Sequence, residues 1–484
     1  MKGVYKTESI RRAERLAKEH AGEDELIERA AAALCEIVMQ VPAERIVILA
    51  GGGNNGSDAL SLALLLLARA YNVAIYSVGE KRNEFVGKRL MALTGIGADI
   101  YYPETAEEVD INAADVVVDG LLGIGCSRQV EGLIGDIVRK VNASGAYVVA
   151  IDVPTGLDSD TGRVHGIAVR ADETVTFIGL KQGLYLADGR NYAGRITLRD
   201  IDVETGEPDF YIAEAADVKL PARQPVSNKG TYGSVKIIAG SPTMMGASLL
   251  AHESALAALR GGAGYAVLCV PRSLAVAYQA RVKEEMLMFM PDNDGMAVYD
   301  EPTLDLIMKK ASSIVLGPGM GKNPHLLKII SYLAANFEGT LVVDGDGLNA
   351  LSEDLAAVDG HKCKLILTPH VAEFARLIRD DGSLPDTERT ISLASRLKAV
   401  IAMKNATTVI SDGSRTYLNI TGSPAMAKAG SGDVLSGLTA ALSANFPPLL
   451  SAVTACYAFG KAGERAAEEK GEWSVLASDI VLKF

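Results

Sequence analysis

Short apolar runs alternate with stretches of helical periodicity along most of the chain. Arg45–Ala50 (RIVILA), Asn72–Val78, Asp115–Asp119 (DVVVD) and Ala146–Ile151 are apolar at nearly every position. That pattern suits parallel strands buried on both faces better than strands with one wet face. Between them the spacing predicts helices: two over Tyr5–Gln40, broken near Ala21–Asp24, with Leu26, Ala30, Ala33, Leu34 and Ile37 as the apolar stripe of the second; then an Ala/Leu-rich run after Asp58, Lys81–Thr94 and Glu131–Val141. Ile196–Asp200 and Phe210–Ile212 read as late strands of the first half. Further on, strands are predicted at Ser234–Ala239, Tyr265–Val270, Ser313–Leu316, Leu341–Asp344 and Lys364–Leu367, with a small-residue helix over Gly246–Arg260. The uncharged stretch Val434–Gly460 is interrupted by Asn445 and Pro447-Pro448, so it reads as two core helices. The run Ala59–Ala68 is too short for the roughly 20 residues of a membrane span.

The pattern is that of an α/β protein in two parts. At 484 residues the chain exceeds one ordinary domain. Pro221-Ala222-Arg223-Gln224-Pro225 interrupts the periodicity, giving a first domain over 1–215, a linker over 216–226 and a second domain over 227–484. The halves share a βαβ style without a sequence repeat. Hydrophobic content of 48% supports large cores, and 48 glycines with 5% aromatics fit an enzyme rich in tight βα turns. A net charge of −12 argues against nucleic acid or an anionic membrane as partner. Met1–Lys18 is charged rather than apolar, unlike a secretory leader. Five scattered cysteines without metal-type spacing read as buried thiols in a reducing cytoplasm.

Chemistry concentrates where strands end. In the first half three apolar strands run into GGGNNGSD (51–58), DGLLGIG (119–125) and DVPTG (152–156). Ligands of open α/β sheets bind outside the carboxyl ends of the strands, so Asp119 and Asp152 are expected to meet the 51–58 loop there. The loop does not match GxGxxG and is not a standard dinucleotide fingerprint. In the second half the strand ends carry Gly240-Ser241-Pro242, Gly317–Gly321, Asp344–Asn349 and Thr368-Pro369-His370. Ala425–Leu438 (AMAKAGSGDVLSGL) joins a Gly430-Ser431-Gly432 turn to a helix. The open N–H groups of such a helix start attract anions, and Asp433 beside them can take a proton from a hydroxyl. No GxxxxGK[ST] pattern occurs, which speaks against P-loop chemistry.

Taken together, these segments resemble known families. GGGNNGSD, VDGLLGIG, AIDVPTGLDSDTG and TFIGLKQGL, in that order, are similar to the NAD(P)H-hydrate epimerase domain. NKGTYG, AGSPTMMGA, GPGMG, DGDGLN, TPHVAEF, MKNATTVI and AGSGD resemble the ADP/ATP-dependent NAD(P)H-hydrate dehydratases of the ribokinase-like superfamily. The resemblance implies a Rossmann-like, doubly wound three-layer domain followed by a ribokinase-like α/β domain. In the first it implies that Asn54, Asn55, Gly56, Ser57 and Asp58, with Gly123, Ile124, Gly125, Cys126, Ser127, Arg128 and Gln129, hold substrate. Asp152 would be the acid/base with Lys181 as partner, and Asn55, Asp119 and Thr155 would bind K+, whose preference is for hard oxygens. In the second it implies that Ala247, Gly319, Gly321, His370 and Asp433 face the hydrated nicotinamide. Lys404, Asn405, Ala406, Thr407, Thr408 and Gly432 would hold the adenine nucleotide, with Mg2+ accompanying it. Read by themselves, Lys181 could equally be a solvated surface lysine and His370 a structural residue. Three departures from the family pattern stand out. Arg29 replaces an Asn, Gln129 replaces a Pro, and Ser57 and Ala59 carry a Cβ where glycines are usual, which is expected to crowd a ligand against the backbone.

The expected activity is repair of hydrated NAD(P)H. The first domain would interconvert the R and S epimers. In the second, Asp433 would deprotonate the ring hydroxyl for attack on the terminal phosphate of ADP, after which the ring nitrogen expels phosphate. ADP is the expected donor, with ATP open; a cytoplasmic homo-oligomer acting on small molecules is the expected setting. Two alternatives stay open. One is a vitamin-type small-molecule kinase on the same fold; the other is an active dehydratase carrying a non-catalytic N-terminal binding module.

Overall fold

The structure is a computed structural model that describes every residue except Lys219, Pro221 and Asp381, and the side chains of Met245, Ala247, Ser248 and Leu249. The linker expected around Pro221 therefore falls partly outside the described residues. Two compact units are present: Gly3–Phe210, and Met1–Lys2 with Tyr211–Phe484.

In the unit Gly3–Phe210 seven strands lie in the order Ile100–Tyr101, Asn72–Ser77, Arg45–Ala50, Val116–Gly120, Tyr147–Ile151, Glu173–Phe177, Arg195–Arg199. Every pairing is parallel. Strand Arg45–Ala50 shows why its sequence lacks alternation. Ile46, Ile48 and Ala50 pack with Leu34 and Leu60 of helices Glu23–Val38 and Asn54–Leu67. Val47 and Leu49 pack on the other face with Ile137 and Val138 of helix Gly132–Ala143. Sequence order reverses between Arg45–Ala50 and Val116–Gly120, the switch point at which doubly wound sheets bind ligands.

The second unit carries strands Met286–Met290, Tyr265–Pro271, Ser234–Ile238, Ser313–Leu316, Thr340–Val343, Lys364–Leu367 and Val400–Met403, all parallel in that order. Thr408–Ser411 and Thr416–Asn419 extend the sheet antiparallel. Its switch point lies between Ser234–Ile238 and Ser313–Leu316. Helices Met245–Arg260, Ser431–Leu442 and Pro448–Lys470 cover one face through Ala251, Ala255, Leu435, Leu438 and Ala452. The interruption expected near Asn445 and Pro447 is the break between the last two of these helices.

The differences from the sequence reading have local causes. Tyr211 and Ile212 pair with Tyr417 and Leu418, so this strand serves the second unit's sheet and not the first. The helix expected from Lys81 starts at Glu84, because the Asn83 side chain caps it by accepting from the Val86 N–H at 2.8 Å. Glu173–Phe177 (ETVTF) is a fully buried strand without an apolar run. Glu173 is 1% exposed and binds Arg195, Tyr147 and Thr197, so charge pairing replaces hydrophobicity as the reason for its burial. Among the described residues no helix is long and apolar enough to cross a membrane.

Candidate active sites

At the first switch point a cavity of about 540 Å³ opens. Helix Asn54–Leu67 begins at Asn54, with Gly53 as its cap, so Asn54–Asp58 form the first turn of a helix rather than a loop. A Cβ at Gly56 would stand 1.8 Å from the Gly51 carbonyl oxygen; only glycine lets the helix start sit this close to the strand it follows. Asn54, Asn55 and Asp58 line the cavity, as do Gly123, Ile124, Gly125 and Cys126. Gly56 and Ser57 are buried inside the turn, while Ser127, Arg128 and Gln129 are exposed. The Ser57 hydroxyl faces Gly53 O and Asn83 Oδ1, both at 3.4 Å, and Ala59 is fully buried against Gly120. Neither of these side chains, with the Cβ atoms expected to crowd a ligand, lines the cavity. Cys126 is half-buried, unlike the other four cysteines, which are buried.

Asp152 sits at φ 65°, a left-handed conformation that aspartate tolerates better than most residues. Its Oδ1 accepts from the Thr176 hydroxyl at 2.9 Å, the Phe177 N–H at 3.3 Å and the Lys181 ammonium. Lys181 also donates to Thr176 Oγ1 at 2.9 Å and Phe177 O at 2.8 Å and is 1% exposed, so the solvated-lysine reading is overturned. Asp58 faces the same cavity. Burial first, then the carboxylates of Asp152 and Glu14, push its carboxyl well above the ordinary range.

Beneath the cavity Asp119 is fully buried. Its Oδ1 accepts from Thr155 Oγ1 at 2.7 Å and its Oδ2 from Thr155 N at 2.8 Å. Burial raises it to about 6, with the Thr155 bonds opposing. The Asn55 amide reaches Leu122 O at 3.1 Å and Ile151 O at 2.7 Å, and Thr155 Oγ1 accepts from Leu122 N at 2.9 Å. Asn55, Asp119 and Thr155 thus converge with two carbonyl oxygens. The Asp119, Thr155 and carbonyl oxygens are the hard donors a monovalent cation takes, and here the Asn55 Nδ2 and the Thr155 N–H and hydroxyl are hydrogen-bonded to them. Arg11, Glu14 and Lys18 of helix Thr7–Ala21 also line the cavity. No motif announces them, because they reach the cavity only through the packing of a helix far from it in sequence.

The second site gathers at the strand ends of the other unit. Helix Ser431–Leu442 starts from Gly430 at φ 89° with no side-chain cap. Among the described residues, no acceptor meets the N–H of Gly432 or Asp433. Asp433, half-buried, has no hydrogen-bond partner for its carboxylate among the described residues. Burial and the nearby Asp344 carboxylate raise it to about 7, with Lys404 opposing. Lys404 follows strand Val400–Met403 and donates to Asp344 Oδ1 at 2.8 Å. Burial pulls its ammonium down, but Asp344 and Glu373 outweigh this and hold it above its ordinary value. Asn405 and Ala406 are exposed in the turn that follows, and Thr407 and Thr408 are buried.

His370 caps helix Val371–Ile378. Its Nδ1 accepts from Ala372 N at 3.1 Å and Glu373 N at 3.4 Å, while Glu373 Oε2 accepts from His370 N at 2.8 Å. Burial, Lys404 and Arg376 lower its pKa, so the ring is neutral and carries its proton on Nε2. The side chain is 53% exposed, and its Nε2 stands 3.3 Å from Glu373 Oε1. Gly321 N donates to Asp346 Oδ2 at 2.7 Å, tying that loop to the helix start at Asp346, and Gly319 is buried within the loop. Ala247 lies in helix Met245–Arg260, but its side chain is outside the described residues.

Comparison with known proteins follows the same division. A family profile described as NAD(P)H-hydrate dehydratase matches residues 235–483, and one described as YjeF-related protein N-terminus matches residues 23–183. A bifunctional NAD(P)H-hydrate repair enzyme of Thermofilum pendens is 34% identical, covering 97% of this chain and 93% of its own. One from Moorella thermoacetica is also 34% identical, covering 91% and 87%. The solved structure of a hypothetical protein from Streptococcus mutans covers 56% of this chain and 96% of its own at TM-score 0.50 and 23% identity, a likeness of fold.

Proposed function

The chain belongs to the family of bifunctional NAD(P)H-hydrate repair enzymes, and from that premise we propose how its residues divide the work. The second domain dehydrates the S epimer of hydrated NAD(P)H in a nucleotide-dependent reaction; the first interconverts the R and S epimers. The observation that carries the reading is the Asp433 carboxylate, unpartnered among the described residues, beside the open N–H groups of Gly432 and Asp433.

In the hydrate, a hydroxyl stands on the ring carbon next to nitrogen, and hydroxide is a poor leaving group. Asp433 takes the hydroxyl proton as the oxygen bonds to the terminal phosphorus of ADP, and the phosphorus–oxygen bond to AMP breaks. The ring nitrogen's electron pair then expels phosphate to leave an iminium, and loss of a proton from the neighbouring ring carbon to phosphate or water forms the ring double bond and restores NAD(P)H. The open N–H groups of the turn, at Gly432 and Asp433, and the Lys404 ammonium neutralise charge that develops on the transferring group. A carboxylate near pKa 7 is matched to this task, because it is both deprotonated and basic at neutral pH. ADP is our choice of donor over ATP, with Asn405–Thr408 around the nucleotide and Gly319, Gly321, Ala247 and His370 on the substrate side. Mg2+ would be carried by the nucleotide's own phosphates and waters.

In the first domain Asp152 moves the proton of the same ring hydroxyl, and Lys181 holds its carboxylate in place. Asn55, Asp119 and Thr155 would hold K+, which supplies fixed positive charge against the first turn of helix Asn54–Leu67. A homo-oligomer working in the cytoplasm, where reduced nicotinamide nucleotides are used, completes the proposal. The test supplies the S epimer with ADP and follows return of dihydronicotinamide absorbance, AMP and phosphate. Recovery lost in Asp433→Asn supports the assignment; no recovery with ADP or ATP sends it to a vitamin-type kinase. Epimer exchange by the full chain, lost in Asp152→Asn, tests the first domain.

A further inference from the structure

Lys404 stands among several carboxylates, and which of them it pairs with bears on the chemistry. Asp344 ends strand Thr340–Val343, and its side chain is 3% exposed. Its Oδ1 takes the Lys404 ammonium at 2.8 Å. The backbone of both residues is fixed, Asp344 N to Leu316 O at 3.0 Å and Lys404 N to Pro369 O at 2.7 Å. The pair lies against the phosphate turn: a Cβ added to Gly432 would stand 3.1 Å from Lys404 Nζ and 3.6 Å from Asp344 Oδ2. Asp433 is the next residue, and its carboxylate has no partner among the described residues.

We propose that Asp344 is a positioning residue for the dehydration: it holds the Lys404 ammonium against the Gly430–Gly432 turn, toward the transferring phosphoryl group, and so keeps that ammonium from pairing with Asp433. One carboxylate then does two things. It aims a cation at the phosphate, and it leaves the base unpaired and electrostatically pressed toward protonation. A lysine paired directly to Asp433 would hold the carboxylate charged and make it a weaker base. The groups that face Asp433 are Asp344, Lys404, Asp346 and Glu373, with His370 beside Lys404.

This inference rests on the dehydratase reading, and the experiment separates the two. The full chain and its Asp344→Asn, Lys404→Met and Asp433→Asn variants are assayed for nucleotide-dependent dehydration from pH 5 to pH 9. Asp344→Asn is expected to move the acid limb of kcat/KM down by about one pH unit, since a negative neighbour is lost and Lys404 turns to Asp433. Its kcat is expected to fall about tenfold or more, while the KM for the hydrate stays within about threefold. Lys404→Met is expected to move the limb the other way, upward, and to raise the KM for ADP. An Asp344→Asn enzyme with an unmoved limb and kcat within about twofold of wild type overturns the proposal. So do limbs that move in the same direction in both variants. If Asp344→Asn does not fold, as circular dichroism would show, an unmoved limb in Lys404→Met overturns the proposal, and an upward shift supports it. Wild type without nucleotide-dependent turnover defeats the dehydratase reading itself. Active wild type, dead Asp433→Asn and unaltered Asp344→Asn defeat only the role of Asp344.

Discussion

The two domains each place an aspartate and a lysine near the ends of their strands but couple them differently. In the first, Lys181 is buried and bonded to Asp152 itself, with Thr176 and Phe177 fixing both. In the second, Lys404 is bonded to a third residue, Asp344, and the Asp433 carboxylate has no partner among the described residues. A carboxylate locked to a lysine is held in one orientation. A carboxylate left alone in a half-buried site, next to another carboxylate, gains proton affinity. The first arrangement favours exchanging the proton of a substrate hydroxyl in one fixed geometry, and the second favours taking that proton as phosphate arrives.

The largest effect that would break this comparison is in Asp433→Asn. Dehydration should fall by about 10³-fold while epimer exchange is unchanged, both measured on the same preparation. Loss of both would mean the sites are not separate. Next is Lys181→Met, which leaves Asp152 without its cation. Breaking a buried pair from one side costs about 3–5 kcal/mol, so chemical denaturation should show a large loss of stability along with the loss of exchange. A variant of wild-type stability would show that Lys181 is solvated after all.

The pH dependence sharpens the contrast further. With Asp433 raised to about 7, dehydration should fall tenfold per pH unit below about pH 7, because the base must be unprotonated to act. Asp433 is an acid whose folded pKa lies above its ordinary value, so the folded state holds the proton more tightly. Its contribution disfavours folding increasingly as pH rises from the ordinary carboxylate range through about 7. Asp433→Asn should therefore raise Tm more at pH 8 than at pH 4; an equal change at both would contradict the raised affinity. The smallest effect is expected at Ala59. Because Ala59 packs inside the fold, Ala59→Gly should leave epimer exchange unchanged and cost about 1 kcal/mol in helix stability. Faster exchange in that variant would restore the crowding argument.

Much of this was legible beforehand, and the legible parts share a cause. Arg45–Ala50 and Ser313–Leu316 are apolar throughout because helices cover both faces of a parallel sheet. The Gly430–Asp433 turn announces itself because a helix start needs glycine to present its N–H groups to an anion. Other parts were misread for equally physical reasons. Glu173–Phe177 has no apolar run because Arg195 and Thr197 compensate its buried carboxylate, and the strand bearing Arg195 and Thr197 is a separate segment. Tyr211 and Ile212 carry nothing that says which sheet they join; pairing with Tyr417 and Leu418 decides it.

By itself the sequence located most strands and helices and the strand-end loops and offered Asp152 and Asp433 as candidates, because these depend on local periodicity and turn chemistry. Tertiary structure alone decided the partnerships. Helix Thr7–Ala21 brings Arg11 and Lys18 to the first cavity, the buried Lys181 meets Asp152, and Lys404 crosses to Asp344 from a strand 60 residues away. A side chain's charge is written in the sequence, but its proton affinity is set by which other charges the fold brings near and how much water it removes.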